Sequence, residues 1–232
     1  MTDLSEKKNA SSEPAWVAAP QDDPMAISLR LALGYVSGKK ETHYAAELGV
    51  YRGRSLQVLM SEGMATGANF NWIGIDTFSG LPPLGEKDRE LAPENSPYLL
   101  RPMYDDTTLR EVEAFLEPMG MGDRLKLYEG LLADVLPSLP ERMYTFVNIS
   151  IKTYEAHLQA LEYFYPRMRE GGVIVLDDVY NRRFPMAEMA VNEFLADKPE
   201  QIFQLTGSDN VGLVKRGLLV KHGPDTIARI KR

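Results

Sequence analysis

The stretch Glu47-Leu48-Gly49-Val50-Tyr51-Arg52-Gly53-Arg54-Ser55 decides the fold. A short apolar run, His43 to Leu48 (HYAAEL), leads into it, and an amphipathic run, Ser55 to Met64, leads away, so a strand passes through a glycine turn into a helix. A second strand, Asn71 to Asp76 (NWIGID), ends on a carboxylate 23 residues beyond Gly53. In doubly wound sheets, ligands bind at the carboxyl ends of strands, where glycine lets backbone come close and helix N-terminal amides point outward. Asp76 is therefore expected beside the glycine turn, where its carboxylate can accept the hydroxyl hydrogens of a ribose.

The same alternation runs through the rest of the chain. Met25 to Ser37 predicts a helix with Met25, Ile27, Leu29, Leu31, Leu33 and Val36 on a broad apolar stripe. A helix over Thr108 to Met119 leads to a third strand, Leu125 to Tyr128. Tyr144 to Ile149 (YTFVNI) is a fourth strand, Tyr154 to Arg169 a helix, Gly172 to Leu176 a fifth strand, and Pro185 to Ala196 a helix. Ile202 to Thr206 and Val211 to Lys215 read as two last strands joined through Gly207 to Asn210. The expected class is α/β, a Rossmann-like doubly wound sheet, mainly parallel, with an antiparallel C-terminal edge hairpin. Between Gly80 and Asp106 the chain is irregular, with Pro82, Pro83, Pro93, Pro97 and Pro102 beside Tyr98 and Tyr104. That segment reads either as an acceptor lid or as a solvated insertion.

At 232 residues and 44% hydrophobic, the chain suits one domain, set at residues 25–232 after a flexible arm of residues 1–24. Trp16 is the aromatic exception in the arm, able to dock on the body or cover a ligand. A formal charge of -7 with interspersed signs argues against a nucleic-acid surface, which needs clustered Lys and Arg. No apolar run approaches the roughly 18 residues that span a bilayer, and the first residues lack the order of a secretory signal. The reading is a cytoplasmic protein with a small-molecule partner, its oligomeric state, homo-oligomer included, left open. Cysteine is absent, and His43, His157 and His222 are too scattered for a local metal motif.

The glycine pattern narrows the ligand. A dinucleotide fingerprint needs a second glycine two residues after the first, so that backbone can meet pyrophosphate. That position is Tyr51, whose side chain would obstruct pyrophosphate but leaves room for a nucleoside sulfonium, S-adenosyl-L-methionine. Glu47 adds a negative group suited to that cofactor's ammonium or to ordering the turn. Arg52 and Arg54 can meet a carboxylate or stay solvated.

Three segments, AELGVYRGRS, WIGIDTFSGLPPL and FVNISIKTYEAHLQALEYFYPRMREGGVIVLDDVY, resemble the macrocin O-methyltransferase family, in the family's order and from about residue 42 to 216. That family methylates hydroxyls on sugars and other natural-product scaffolds. The resemblance implies a Rossmann-like methyltransferase fold with Glu47, Gly49, Gly53 and Ser55 around the methionine moiety and Asp76 on the ribose. It also implies adenine near Phe78 and the Glu129-Gly130 turn.

The resemblance further implies an Asp-x-Asp pair after the fourth strand and an acidic pair after the fifth. The first aspartate and the acidic pair would hold a divalent cation, and the second aspartate would be a general base. Ser150 and Lys152 occupy the first two positions here, while Tyr154-Glu155 and Asp177-Asp178 remain. Three carboxylates suit magnesium, whereas two facing a lysine largely neutralise themselves, so Lys152 is expected to pair with Asp177 or Asp178 and to disfavour the metal. The base is then Lys152 with a lowered pKa, or His157 one helical turn after Tyr154, or there is none. The readings left open are an O-methyltransferase, a noncatalytic S-adenosylmethionine-binding subunit, and a transferase with different acceptor chemistry.

Overall fold

The computed structural model describes residues 19, 23–37, 41–92, 102–181, 185–206 and 215–224. The arm with Trp16, the hairpin turn at 207–210, and Pro93, Pro97 and Tyr98 lie outside them. Seven strands form one sheet: β1 (Thr42–Leu48), β2 (Asn69–Asp76), β3 (Leu125–Glu129), β4 (Tyr144–Ile149), β5 (Met168–Leu176), β6 (Ile202–Thr206) and β7 (Lys215–Val220). Their order is β3-β2-β1-β4-β5-β7-β6, parallel except for β7, which runs antiparallel to both β5 and β6. The direction of winding reverses between β1 and β4, which leaves a crevice at their carboxyl ends.

The helices are α1 (Pro24–Val36), α2 (Arg54–Ala65), α3 (Glu86–Leu91), α4 (Leu109–Leu116), α5 (Leu132–Val135), α6 (Tyr154–Phe164) and α7 (Pro185–Leu195). Successive strand residues point to opposite faces, so Ala45 and Phe146 join a core with α1, α2 and α4, while Ala46, Leu48 and Val147 join one with α5, α6 and α7. Every residue of β4 is buried, the pattern of a parallel strand covered on both faces. Asp23 starts α1 by accepting the Met25 N–H at 2.8 Å, and Pro24 takes the first helical position, where no N–H is needed.

Several boundaries differ from the sequence reading. The apolar stripe of α1 is narrower than expected: Leu29, Leu33 and Val36 are buried, whereas Ile27 and Leu31 face solvent at 52% and 66% exposure. The helix expected over Tyr154 to Arg169 stops at Phe164, and a short 3-10 turn containing Pro166 hands the chain directly to β5 at Met168. The last strand is described over Lys215–Val220, where Leu218 and Leu219 pair with Val175 and Ile174 of β5; residues 211–214 of the expected strand lie outside the described residues. The irregular segment holds the six-residue helix α3.

Candidate active site

At the crevice the chain turns left-handed three times in five residues: Gly49 at φ 83, Tyr51 at φ 49 and Gly53 at φ 78. Gly49 is obligatory by packing, since a Cβ there would lie 2.2 Å from the Ser150 carbonyl oxygen. Tyr51 adopts this backbone at a cost of roughly 1–2 kcal/mol. Asp76 offsets it by accepting the Tyr51 N–H at Oδ2, 2.8 Å away, and the Tyr51 hydroxyl donates to Asp106 at 2.7 Å. The other oxygen of Asp76, Oδ1, accepts the Phe78 N–H at 2.8 Å. Oδ2 keeps a lone pair for a further donor, while Oδ1 also has the Thr77 hydroxyl at 3.5 Å.

These groups open on a cavity of about 590 Å³. Gly49, Tyr51, Ser55, Asp76 and Gly130 line it, as do Arg52 and Arg54. Glu47, Gly53 and Phe78 do not. Phe78 is 3% exposed and belongs to the core cluster that includes Val112 and Leu116, which corrects its expected place beside an adenine; Thr77 lines the cavity in its stead. Gly53 packs against Val112 and Phe115 at the start of α2. Glu47 is fully buried behind the turn, with Oε1 accepting the Asn148 side-chain amide at 2.8 Å and Oε2 without a well-aligned partner. Burial pushes its carboxyl up to about 8, against the pull of the Ser55 hydroxyl and Asn148, so it supports the turn as a neutral acid at pH 7 and does not present a charge to the cavity.

Across the cavity the groups are ionic. Lys152 lines the wall at 8% exposure and its ammonium is bonded to Asp178, whose Oδ1 accepts the Asn181 amide at 2.8 Å. Burial alone would lower the lysine's pKa, but Asp178 and then Asp177 outweigh it, and the net shift is upward. Lys152 is held as an ammonium, the opposite of what a base requires. Asp177 also lines the cavity, with Oδ1 at 3.1 Å from Arg216 Nε and Oδ2 accepting the Ser150 hydroxyl at 3.1 Å. Burial opposes its ionisation, yet Arg216, Lys152 and Ser150 together hold its pKa below the usual carboxylate range. Asp178 is 7% exposed and stands behind Lys152, off the cavity wall. Among the described residues no three His, Cys, Asp or Glu side chains converge as a metal site.

His157 is corrected as a candidate base. It is fully buried off the cavity wall, with Nδ1 2.8 Å from the Thr153 carbonyl, and burial lowers its pKa to about 4. Two charged groups escaped the sequence reading. Arg216 arrives from β7, and Asp88 arrives from α3 to line the cavity beside Glu155. The described residues of the Gly80 to Asp106 segment contribute Leu81, Pro82, Gly85 and Tyr104 to the same wall.

Residues 36–211 match the macrocin-O-methyltransferase (TylF) family. The chain belongs to the macrocin O-methyltransferase family. Among curated relatives of this family member, a Streptomyces olivaceus 8-demethyl-8-(2,3-dimethoxy-alpha-L-rhamnosyl)-tetracenomycin-C 4'-O-methyltransferase is 31% identical over 140 residues, 57% of this chain and 51% of that one. The Micromonospora griseorubida mycinamicin III 3''-O-methyltransferase is 25% identical over 125 residues, 53% and 48% of the two chains. These alignments thus span about half the length of the curated relatives. The O-methyltransferase NovP shares the fold with a TM-score of 0.69 at 19% identity, over 86% of this chain and 80% of that one.

Proposed function

We propose that this protein is an S-adenosylmethionine-dependent O-methyltransferase that methylates a sugar hydroxyl of a glycosylated small molecule without a divalent metal. The observation that carries the reading is Asp76, anchored to the Tyr51 and Phe78 amides and opening on the same cavity as Lys152 and Asp177. The donor set fits the cofactor: a carboxylate with a spare lone pair for a ribose hydroxyl, a strained turn at Gly49 to Ser55 for the methionine part, and the Gly130 turn for the adenine. When bound, the cofactor supplies an electrophilic methyl group. Relatives named for rhamnosyl tetracenomycin and mycinamicin hydroxyls support a glycosylated acceptor.

The residues at the family's metal positions do not fit magnesium. Arg216 and Lys152 supply two fixed positive charges against Asp177 and Asp178, which leaves no net charge to attract a divalent ion. Lys152, held as an ammonium on the cavity wall, brings positive charge toward the acceptor oxygen and so eases loss of its proton, the office a metal would fill. Methyl transfer depends chiefly on in-line placement, which the shared cavity supplies.

Calorimetry with S-adenosylhomocysteine and turnover with rhamnosylated polyketides test this reading. Expected are tight binding, methyl transfer, and no loss of rate in excess EDTA. Stoichiometric micromolar magnesium binding would overturn the metal-free part. A second reading, a noncatalytic binding subunit, is favoured by the closed ion pairs at Asp177 and Asp178; binding without turnover across a broad sugar panel would select it.

A further inference from the structure

If the chain transfers a methyl group, its acceptor proton needs a destination, and the groups the family resemblance points to are all occupied. Lys152 is an ammonium, Asp177 is tied to Arg216 and Ser150, and Asp178 and His157 stand off the wall. Asp76 is committed to two loop amides in the cofactor half. Tyr51 and Tyr104 are phenols whose pKa values burial raises, that of Tyr51 to about 12.

Two carboxyls remain on the wall. Asp88 of α3 is fully buried, with Oδ1 accepting the Tyr154 N–H at 2.6 Å and Oδ2 accepting the Gly85 N–H at 3.3 Å. Asp88 thereby fixes the entrance of α3 and the first residue of α6 to each other. Glu155, the next residue of α6, packs so closely on the Gly80 to Asp106 segment that a Cβ on Gly85 would lie 2.2 Å from its Oε1. Gly85 thus donates its N–H to Asp88 on one side and meets Glu155 on the other, so the two carboxyls stand side by side on the wall, and Glu155 contributes to raising the Asp88 pKa.

We propose that Glu155 accepts the proton of the acceptor hydroxyl, with Asp88 as its positioning partner; this inference rests on the methyltransferase reading above. The acceptor oxygen forms a bond to the methyl carbon as the carbon–sulfur bond breaks. Sulfur keeps that electron pair, and the hydroxyl proton passes to a Glu155 oxygen. A sulfonium and a carboxylate become a neutral thioether and a carboxylic acid, so charge and atoms balance.

Burial, and after it Glu155, pushes Asp88 up to about 6, so the positioning partner of Glu155 can exchange a proton near neutral pH. The charged neighbours do not cancel the pair. On α3, the Lys87 ammonium turns away to the Tyr154 hydroxyl and Glu193, at 2.8 and 3.1 Å. On the β4–α6 loop, Lys152 is bonded to Asp178. Of the other groups lining the cavity, Tyr104, Thr153 and Gln159 are uncharged at neutral pH, while Arg52, Arg54, Asp76 and Asp177 are charged.

The test is carboxyl-13C NMR titration of the full protein saturated with S-adenosylhomocysteine, with rates measured on methyl α-L-rhamnoside and rhamnosylated tetracenomycin. Expected is an Asp88 step raised to about pH 6 that falls toward the ordinary carboxylate range in Glu155→Gln. Glu155→Gln should lower kcat by about 100-fold or more, flatten its acid limb, and leave S-adenosylhomocysteine affinity unchanged. Independent titration of the two carboxyls near their ordinary values overturns the inference, as does wild-type kcat in Glu155→Gln. Absence of wild-type turnover on both rhamnosides weighs against the acceptor class proposed above, while the titration still decides the pair.

Discussion

Around Asp76 the cavity wall is made of backbone held in left-handed turns and anchored by one carboxylate, whereas around Lys152 it is made of charged side chains that anchor one another. The first wall depends on φ angles and clearances, so its residue types are dictated by geometry. The second depends on charge balance, so its residues can be exchanged if the sum is kept. That difference would let a chain hold the glycine turn fixed while the residues at 150, 152 and 216 vary together.

The comparison breaks first where charge balance is removed. Lys152→Met leaves Asp178 buried without its cation and should cost ~3–5 kcal/mol of unfolding free energy in denaturant titration. Adding Asp178→Asn should restore most of it; a double variant as weak as the single one would show that the wall is not held by charge balance. On the opposite wall, Gly49→Ala drives a methyl into the Ser150 carbonyl and forces a left-handed alanine, for ~2–4 kcal/mol and loss of detectable S-adenosylhomocysteine binding. An alanine variant that binds normally would refute the geometric account of that wall.

A smaller effect sits beneath the ionic wall, at His157. Its pKa falls from an ordinary 6.5 to about 4 on burial, so the unfolded chain binds the proton first. Stability should therefore decline as pH falls from about 6.5 to 4, by ~2–3 kcal/mol, and His157→Gln should flatten that decline. Smallest in the shift it reads is Asp76→Asn, whose amide oxygen keeps one of the two loop hydrogen bonds, whose NH2 cannot accept the other N–H, and which loses charge toward the ribose. A rise of about tenfold in the S-adenosylhomocysteine dissociation constant, near ~1–2 kcal/mol, is expected, with acceptor KM unchanged.

What was legible in the sequence follows the same division. The β4 run matches its expected bounds, and β1 and β2 come within two residues, because buried parallel strands read as continuous apolar segments between turn signals. The glycine turn and Asp76 were readable because their chemistry is local. Arg216 was not, since it reaches Asp177 from a strand 39 positions later, joined only by the pairing of β7 with β5. Its one trace was arithmetic: two adjacent aspartates faced a single lysine. Asp88 was hidden in a proline-rich stretch whose six-residue helix is too short to show a period. The excess length given to the helix after Tyr154 came from discounting Pro166, and the α1 stripe was drawn too wide because apolar residues occur on both its faces.

The contact between Gly49 and the Ser150 carbonyl has a consequence for anyone who would retune this protein. The two loops meet with no clearance, and the Ser150 N–H donates to the Leu48 carbonyl at 2.8 Å, so the main chain at 150 is the buttress of the donor loop. The side chain at 150 points instead to Asp177. Libraries that vary side chains at 150, 152 and 216 can therefore reshape the ionic wall against an unmoved glycine turn, whereas insertions or prolines at 150 would shift both walls of the cavity together.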